Sequence, residues 1–129
     1  MKTEKNFTTS GHTRHAGITH ALALVATIRE GVRSAFVFEH GSLQVKMYRP
    51  TNADSQKPHT RDEVYIVAQG SGWFINGAQR HAFQSGDMLF VSAGVEHRFD
   101  EFTTDFCTWV MFYGPEGGET QDQGKRTED

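Results

Sequence analysis

At 129 residues the chain is long enough for one domain, and its thirteen glycines and ten phenylalanines favour turns and strands over a helical bundle. The formal net charge of −3 lies entirely in residues 116–129, and the neutral remainder lacks the positive field that a nucleic-acid partner requires. The single cysteine, Cys107, allows no intrachain disulfide, and no apolar stretch approaches the roughly 20 residues of a membrane span. We therefore expect a cytoplasmic protein that has neither nucleic acid nor a membrane as its partner.

The predicted elements begin with one short helix. Residues 1–16 are polar and are expected to form a flexible leader. In the stretch that follows, apolar residues recur at helical spacing and Gly31 provides a stop, which predicts one α-helix near residues 17–30. We expect this helix to pack on the outside of the β-structure that begins at about residue 32.

Short strands separated by glycine turns follow the helix. The first two form a hairpin around His40 and Gly41, and residues 50–58 form a polar loop. Six further strand segments come after the loop: EVYIVAQ, WFIN, RHAFQ, MLFVSA, HRF and TDFCTWVMFY. This spacing is typical of an all-β sandwich or barrel, so we expect a single domain over residues 17–113. Residues 114–129 contain nothing to bury and are expected to be a flexible acidic tail.

Three side chains suited to metal ligation lie in two of these segments. Glu63 begins the segment EVYIVAQ with His59 four residues before it, and His97 begins the later segment HRF. Two imidazoles and one carboxylate form a ligand set with which proteins hold a catalytic divalent metal while leaving coordination positions open. Because residues an even number apart share a face of a strand, His59, Arg61 and Glu63 are expected to point the same way. The fold must then bring His97 alongside them.

The segment around His59 and Glu63 resembles the first sequence motif of the cupin superfamily, G-x5-H-x-H-x3,4-E-x6-G. His59, Glu63 and Gly70 stand at the positions of the second histidine, the glutamate and the closing glycine. Thr51 stands where the motif begins with a glycine, and Lys57 stands where it has its first histidine. The chain therefore supplies one of the two histidines of this motif.

The segment around His97 resembles the second cupin motif, G-x5-P-x-G-x2-H-x3-N. Gly86, Gly94 and His97 match it, while Ser92 replaces the proline and Glu101 replaces the asparagine. The two motifs occur in the right order and are closely spaced. The resemblance implies an all-β double-stranded β-helix, the jelly-roll or cupin barrel, to which the chain adds one short N-terminal α-helix.

The resemblance also implies a metal site and a small-molecule ligand inside the barrel. The ion would be a divalent transition metal, Fe, Mn, Ni or Zn, held by His59, Glu63 and His97. Gln56 is a candidate fourth ligand through its amide oxygen, because it lies beside the position of the absent histidine. Alternatively Lys57 points inward, and its ammonium group would then repel a cation.

Three more side chains are candidates for binding the small molecule. Arg61 shares the expected inward face and could meet an anionic substrate or pair with a neighbouring carboxylate. Tyr65 and Phe99 share the parity of Glu63 and His97, so they are candidates to line the barrel interior.

Cupins include oxygenases, isomerases, decarboxylases and binding proteins, so the resemblance leaves several functions open. We expect first a metal-binding cupin that acts on or binds a small molecule, with dioxygenase-like chemistry as the most specific form. One alternative is a metal-free cupin that binds a small ligand, in which Lys57 pairs with Glu63. Another is a metal-free isomerase that uses His59 or His97 as a base.

The last strand segment, residues 104–113, is apolar on both faces. Such a strand lies in a core or in a subunit interface. Small cupins often dimerise through their strands, so the resemblance implies a homodimer.

Overall fold

The computed structural model describes residues 15–27, 33–54 and 57–120, and within these ranges the chain forms one helix and eight strands. The helix α1 spans Ile18–Ala26. The strands are β1 (Ser34–His40), β2 (Leu43–Tyr48), β3 (Asp62–Gln69), β4 (Ser71–Asn76), β5 (Gln79–Gln84), β6 (Met88–Val91), β7 (His97–Asp100) and β8 (Cys107–Tyr113). No helix in these ranges is long and apolar enough to cross a membrane.

The strands form two antiparallel sheets that pack face to face as a jelly-roll β-barrel. The larger sheet has the strand order β1-β2-β8-β3-β6, and the smaller has the order β5-β4-β7. The chain crosses from one sheet to the other several times, so consecutive strands do not always lie side by side. As a result β3 and β7, the strands that carry the two predicted motifs, lie in opposite sheets and contribute to one interior.

Aromatic and aliphatic side chains fill most of this interior. Each strand alternates between a face that points into the barrel and a face that points out, which places apolar residues from both sheets in contact. The buried members of this cluster are Tyr65, Val67, Phe74, Phe83, Val91, Phe99, Phe106 and Val110. Full burial of one such side chain contributes roughly 1.5–3 kcal/mol, so this cluster is a main source of stability.

A second apolar cluster joins α1 to the outer face of the larger sheet. Ala21 and Val25 are four residues apart on one face of the helix, and both cluster with Met47 of β2. Trp109 and Met111 of β8 border the same cluster. The two-sided apolar character of the last strand follows from this arrangement, because β8 lies between β2 and β3 with one face in the barrel and the other beside the helix cluster.

The predicted short N-terminal helix is therefore confirmed, and it lies outside the barrel as expected. It occupies Ile18–Ala26 within the predicted 17–30, and Thr27 at its end donates a side-chain hydrogen bond of 2.7 Å to the carbonyl of Leu24. Gly31, the predicted stop, lies outside the described residues.

The first part of the predicted flexible tail, residues 114–120, is hydrogen-bonded to the barrel. The buried carboxylate of Asp62 accepts a bond of 2.8 Å from the amide of Glu119. The amide of Gly117 donates a bond of 2.7 Å to a backbone carbonyl just before β3. The prediction considered only the lack of apolar side chains, whereas backbone amides and one buried carboxylate hold this part in place. Residues 121–129 lie outside the described ranges.

Candidate metal centre

The three predicted ligands lie in different segments of the fold and meet inside the barrel. Glu63 is the second residue of β3 in the larger sheet, and His97 is the first residue of β7 in the smaller sheet. His59 precedes β3, and its backbone carbonyl accepts a hydrogen bond of 2.7 Å from the amide of Gly94. Gly94 lies in the turn before β7 with a φ of +84°, a conformation that favours glycine. This bond therefore joins the two segments that carry the histidines.

The ligand atoms of the three side chains lie within 4.8 Å of one another. Nε2 of His97 is 3.2 Å from Oε1 of Glu63, and Nε2 of His59 is 4.0 Å from the same oxygen. Nitrogen and oxygen ligands bind Zn²⁺ at about 2.0–2.2 Å, so neighbouring ligand atoms around one such ion are about 3 Å or slightly more apart. The cluster has dimensions close to these and could bind a metal.

Two of these atoms are buried without a hydrogen-bond partner among the described residues, namely Oε1 of Glu63 and Nε2 of His97. Nδ1 of His97 donates a hydrogen bond of 2.8 Å to the carbonyl of Val95, which leaves the lone pair of a neutral Nε2 available as a ligand. A buried polar atom without a partner costs about 1–3 kcal/mol. A cation between the two side chains would satisfy both atoms, so the residues fit a metal.

The environment shifts the pKa values of the two histidines in opposite directions. Burial lowers the pKa of His59, and the charge of His97 adds to this effect while Glu63 opposes it. Burial also acts to lower the pKa of His97, but Glu63 and the carbonyl of Val95 outweigh it and raise that pKa above its ordinary value. In the absence of a metal, Glu63 therefore favours a proton on His97.

Two residues stand near the fourth coordination position in the sequence, Gln56 and Lys57, and the structure describes the second of them. Gln56 lies outside the described residues, and its role as a ligand stays a prediction. Lys57 is exposed and lines a surface groove with Glu96 and Arg98. Within the described part of the chain, the ion-pair contacts of Glu63 are with the two histidines and not with Lys57. The alternative in which Lys57 points inward and pairs with Glu63 is therefore not observed.

Arg61 makes hydrogen bonds at the edge of the barrel. Its Nε donates to the carbonyl of Gly114 at 3.0 Å, its Nη1 donates to Oε1 of Gln44 at 3.1 Å, and its Nη2 donates to the carbonyl of Ser42. The expectation that its side chain shares a face with Glu63 assumed a strand from residue 59 onward. Because β3 begins only at residue 62, the alternation of strand faces does not extend to Arg61.

A cavity of about 170 Å³ opens beside two of the three predicted ligands, His59 and Glu63. Both polar and apolar side chains line it: Ser34, Lys46, Tyr48, His59, Glu63, Tyr65, Val110 and Phe112. Tyr65 therefore lies where the sequence placed it, on the interior wall. Phe99 is packed deeper in the aromatic core, with its ring centroid 4.9 Å from that of Tyr65, and it is not one of the residues that line this cavity.

Three polar side chains near the predicted ligands were not expected from the sequence. Lys46 and Tyr48 lie on the inner face of β2 and line the cavity. Asp54 lies in the loop predicted as polar, yet its carboxylate is buried and accepts a bond of 2.6 Å from the hydroxyl of Tyr48 and one of 2.8 Å from the amide of Phe99. Burial and the bond to Asp54 raise the pKa of Tyr48. These bonds hold the loop against the free edge of β7.

The fold and the cluster define a small jelly-roll barrel with a candidate metal site inside it. The chain belongs to the Cupin domain family, whose sequence profile matches residues 45–113. That range includes all three predicted ligands. The resemblance of the two motifs to those of cupins is thus confirmed at the level of the family.

Comparisons with individual proteins agree with this assignment. An uncharacterized protein of Streptomyces coelicolor is 40% identical over 63 residues, which cover 49% of this chain and 60% of that protein. A cupin-2 domain containing protein from Shewanella frigidimarina is similar in structure, with a TM-score of 0.54, 20% identity and coverage of 69% of this chain and 87% of that chain. KdgF from Halomonas sp. has a TM-score of 0.58 and 16% identity, with coverage of 67% of this chain and 82% of that chain. At these identities the two structures support the fold alone.

Proposed function

We propose that this protein is a metal-binding cupin that binds or acts on a small molecule inside its barrel. One observation carries the proposal. Oε1 of Glu63 and Nε2 of His97 are buried and face each other, neither has a hydrogen-bond partner within the described ranges, and His59 completes the set of candidate ligands. A folded protein rarely leaves such atoms unpaired unless an ion, a water molecule or a function accounts for them.

His59, Glu63 and His97 would hold the ion, which we propose to be a divalent Fe, Mn, Ni or Zn, and Gln56 is the candidate fourth ligand. When bound, such an ion supplies Lewis-acid catalysis or, in the most specific form of the proposal, dioxygenase-like chemistry. The protein itself supplies orientation. The carbonyl of Val95 holds the ring of His97 by its Nδ1, as in many metal sites where a second partner fixes the ligating imidazole.

The cavity beside the ligands is the proposed binding site for the small molecule. Of the three side chains predicted to contact that molecule, Tyr65 has the most support, because it lines the cavity. Phe99 packs against the ring of Tyr65 and would position it, with an edge-to-face contact between the two rings. Arg61 would act at the edge of the barrel, where it fixes the loop ends that it bonds.

Metal content tests the proposal directly. We expect protein purified without a histidine tag to hold close to one equivalent of a transition metal after reloading, and His97→Ala to hold less than about a tenth of an equivalent, because its ligand is lost. His81→Ala is the matched control: His81 is exposed on β5, where its ring bonds Gln79, and its loss is expected to leave metal content unchanged. Wild-type protein that stays below about a tenth of an equivalent after reloading would contradict the proposal.

A metal-free binding protein is the second candidate function, and the contact between His97 and Glu63 favours it. At 3.2 Å a protonated His97 neutralises the carboxylate without a cation, and the raised pKa of His97 agrees with such a pair. Small-ligand binding by metal-stripped wild-type protein, unchanged on reloading, would support this candidate over the first.

The homodimer and the cytoplasmic location stay predictions. Both faces of β8 have packing partners within the chain, so the dimer would need another apolar surface. Met88 and Phe90 on the edge strand β6 are exposed and provide one. We expect a dimer in sedimentation at micromolar concentration, and a single monomeric species there would contradict it.

A further inference from the structure

The cavity beside the candidate metal ligands contains one lysine that the proposed function does not use. Lys46 lies on the inner face of β2, where it lines the cavity with His59 and Glu63. Its neighbours on the same strand, Val45 and Met47, face the helix cluster on the other side of the sheet. The alternation of strand faces therefore fixes the lysine side chain on the barrel side.

The ammonium group of Lys46 has no carboxylate within ion-pair distance among the described residues. Its Nζ lies 4.9 Å from the centroid of the Phe36 ring, a contact that orients the group without neutralising it. Burial lowers the pKa of Lys46, and Glu63 opposes this effect from a longer distance. A partly buried cation without a direct partner is costly, which is a reason to expect that a ligand supplies the negative charge.

We infer that Lys46 binds a carboxylate group of the small molecule, so that the ligand of this barrel is a small carboxylic acid with a second oxygen facing His59 and Glu63. Only the contact between the second oxygen and the candidate metal site rests on the proposed function. The contact with Lys46 depends on the cavity and on the charge of the lysine.

The charges favour a carboxylate over other anions. With a divalent ion bound to one carboxylate and two neutral imidazoles, the cavity would hold a net positive charge to which Lys46 adds. A phosphate ester usually requires a cluster of arginines or several backbone amides. The lining offers a single ammonium group, on Lys46, and three hydroxyls, on Ser34, Tyr48 and Tyr65. The hydroxyl of Tyr48 already donates to Asp54. A single cationic point charge matches a monocarboxylate better than a phosphate ester.

The volume of the cavity and its apolar wall limit the size and the chemistry of the ligand further. A dry cavity of about 150 Å³ accommodates benzene, so a cavity of about 170 Å³ suits a molecule of roughly six to eight non-hydrogen atoms. Val110 and Phe112 provide an apolar wall for a short carbon skeleton. A short branched hydroxy acid or oxo acid meets these limits.

Paired probes of equal shape test the inference. 2-Hydroxyisobutyrate and 2-hydroxyisobutyramide differ in charge but hardly in size, and isothermal titration measures their affinities for tag-free protein with and without Mn²⁺. We expect Lys46→Met to lower the affinity for the carboxylate by about tenfold while it changes the affinity for the amide by no more than about twofold. Lys46→Arg keeps the charge and is expected to restore most of the carboxylate affinity.

Lys57→Met is the matched control, because Lys57 is exposed and does not line this cavity; the groove that it lines borders His97 from another side. It is expected to leave both affinities unchanged, which separates a direct contact from a general effect of charge. If Lys46→Met does not fold, Lys46→Gln takes its place.

The outcomes separate the inference from the proposed function. A Lys46→Met protein with wild-type metal content and undiminished carboxylate affinity would overturn the inference and leave the metal site standing. Wild-type protein that holds no metal, yet binds the carboxylate through Lys46, would support the inference and contradict the proposed metal site. Equal binding of both probes by wild-type protein, with and without Mn²⁺, would also overturn the inference.

Discussion

The two halves of the barrel interior differ sharply in chemistry, although β3 and β7 contribute to both. The aromatic half is a cluster of rings formed by Phe74, Phe83, Phe99 and Phe106. The polar half consists of Lys46, His59 and Glu63, which line the cavity, and of His97, which lies beside Glu63. On β3 a step of two residues leads from Glu63 to Tyr65, and on β7 an equal step leads from His97 to Phe99. A step of that kind covers about 6.6 Å along a strand.

This contrast shows how the fold separates stability from function. In the aromatic half the rings contact one another, with centroid distances of 4.7 Å between Phe99 and Phe106 and 4.8 Å between Phe99 and Phe74. In the polar half a buried carboxylate and a buried imidazole nitrogen have no hydrogen-bond partner among the described residues. Such atoms cost stability, so the aromatic half has to supply the energy that holds the polar half in place.

The largest expected effect comes from removing the central ring of the aromatic half. Phe99→Ala deletes contacts with several rings in a fully buried position and is expected to lower the free energy of unfolding by about 3–5 kcal/mol. Urea denaturation of the metal-free protein measures this loss. Phe36→Ala is the matched control, because Phe36 is about half exposed on β1 and its removal is expected to cost less than about 1 kcal/mol. Equal losses for both variants would contradict the assignment of stability to the aromatic half.

A smaller effect of opposite sign is expected when the polar half is made apolar. The double variant Glu63→Met, His97→Phe replaces both members of the buried pair at once. Replacing a buried ion pair by apolar residues of similar volume often leaves stability unchanged or raises it by about 1–4 kcal/mol, and we expect such a gain here for metal-free protein. Metal binding is expected to be lost. A double variant less stable than wild type in urea denaturation would show that the polar half contributes to folding after all.

The single variant His97→Phe provides the control, because it leaves the carboxylate of Glu63 buried without the imidazolium charge that faces it at 3.2 Å in the metal-free protein. It is expected to lose about 3–5 kcal/mol relative to wild type. The pH dependence adds a second readout. The folded-state pKa of His97 is raised above 6.5, so its protonation stabilises the metal-free wild type below that pH, and the contribution is lost as the pH rises through the folded-state pKa. The advantage of the double variant is therefore expected to be larger at about pH 8 than at about pH 6.

The sequence predicted the fold and the clustering of His59, Glu63 and His97, because both are encoded by local patterns. Strand alternation and glycine turns indicated every strand from β1 to β8. The motif spacing placed His97 near Glu63, although the two lie in different sheets. Strand parity correctly placed the side chains of Glu63 and Tyr65 on the face of β3 that points into the barrel. The same parity gave the wrong direction for Arg61, because Arg61 precedes the strand.

Lys46 and Asp54 could not be assigned from the sequence for physical reasons. Both faces of β2 are covered, one by the barrel and one by the helix cluster, so the alternation of polar and apolar residues does not tell which face is inside. Asp54 lies in a polar loop, and its burial depends on partners that are distant in the chain, above all the amide of Phe99. Tertiary packing decides both positions.

The smallest expected effect concerns the backbone at the end of β7, beside the aromatic half. Glu101 has a φ of +49°, the left-handed region, which costs most residues about 1–2 kcal/mol and is tolerated better by asparagine. Glu101→Asn also removes an exposed ion pair with Arg80, in which the closest atoms are 3.7 Å apart. Exposed ion pairs contribute only about 0.2–1 kcal/mol. Arg80 keeps its stacking contact with the ring of Trp73, at 4.0 Å from the ring centroid. The relief of backbone strain is therefore expected to outweigh the loss of the ion pair, with a net gain of about 0.5 kcal/mol, or roughly 2 °C in Tm.

Thermal denaturation of metal-free protein measures the gain, with Glu96→Asn as the matched control. Glu96 is also exposed but is not in the left-handed region, so the same exchange there is expected to bring no increase in Tm. If Glu101→Asn lowers the Tm, the ion pair with Arg80 outweighs the strain, and the surface beside the aromatic half contributes more to stability than its exposure implies. If it raises the Tm without changing metal content, stability at this end of β7 can be adjusted independently of His97 at the other end, as the separation of the two halves requires.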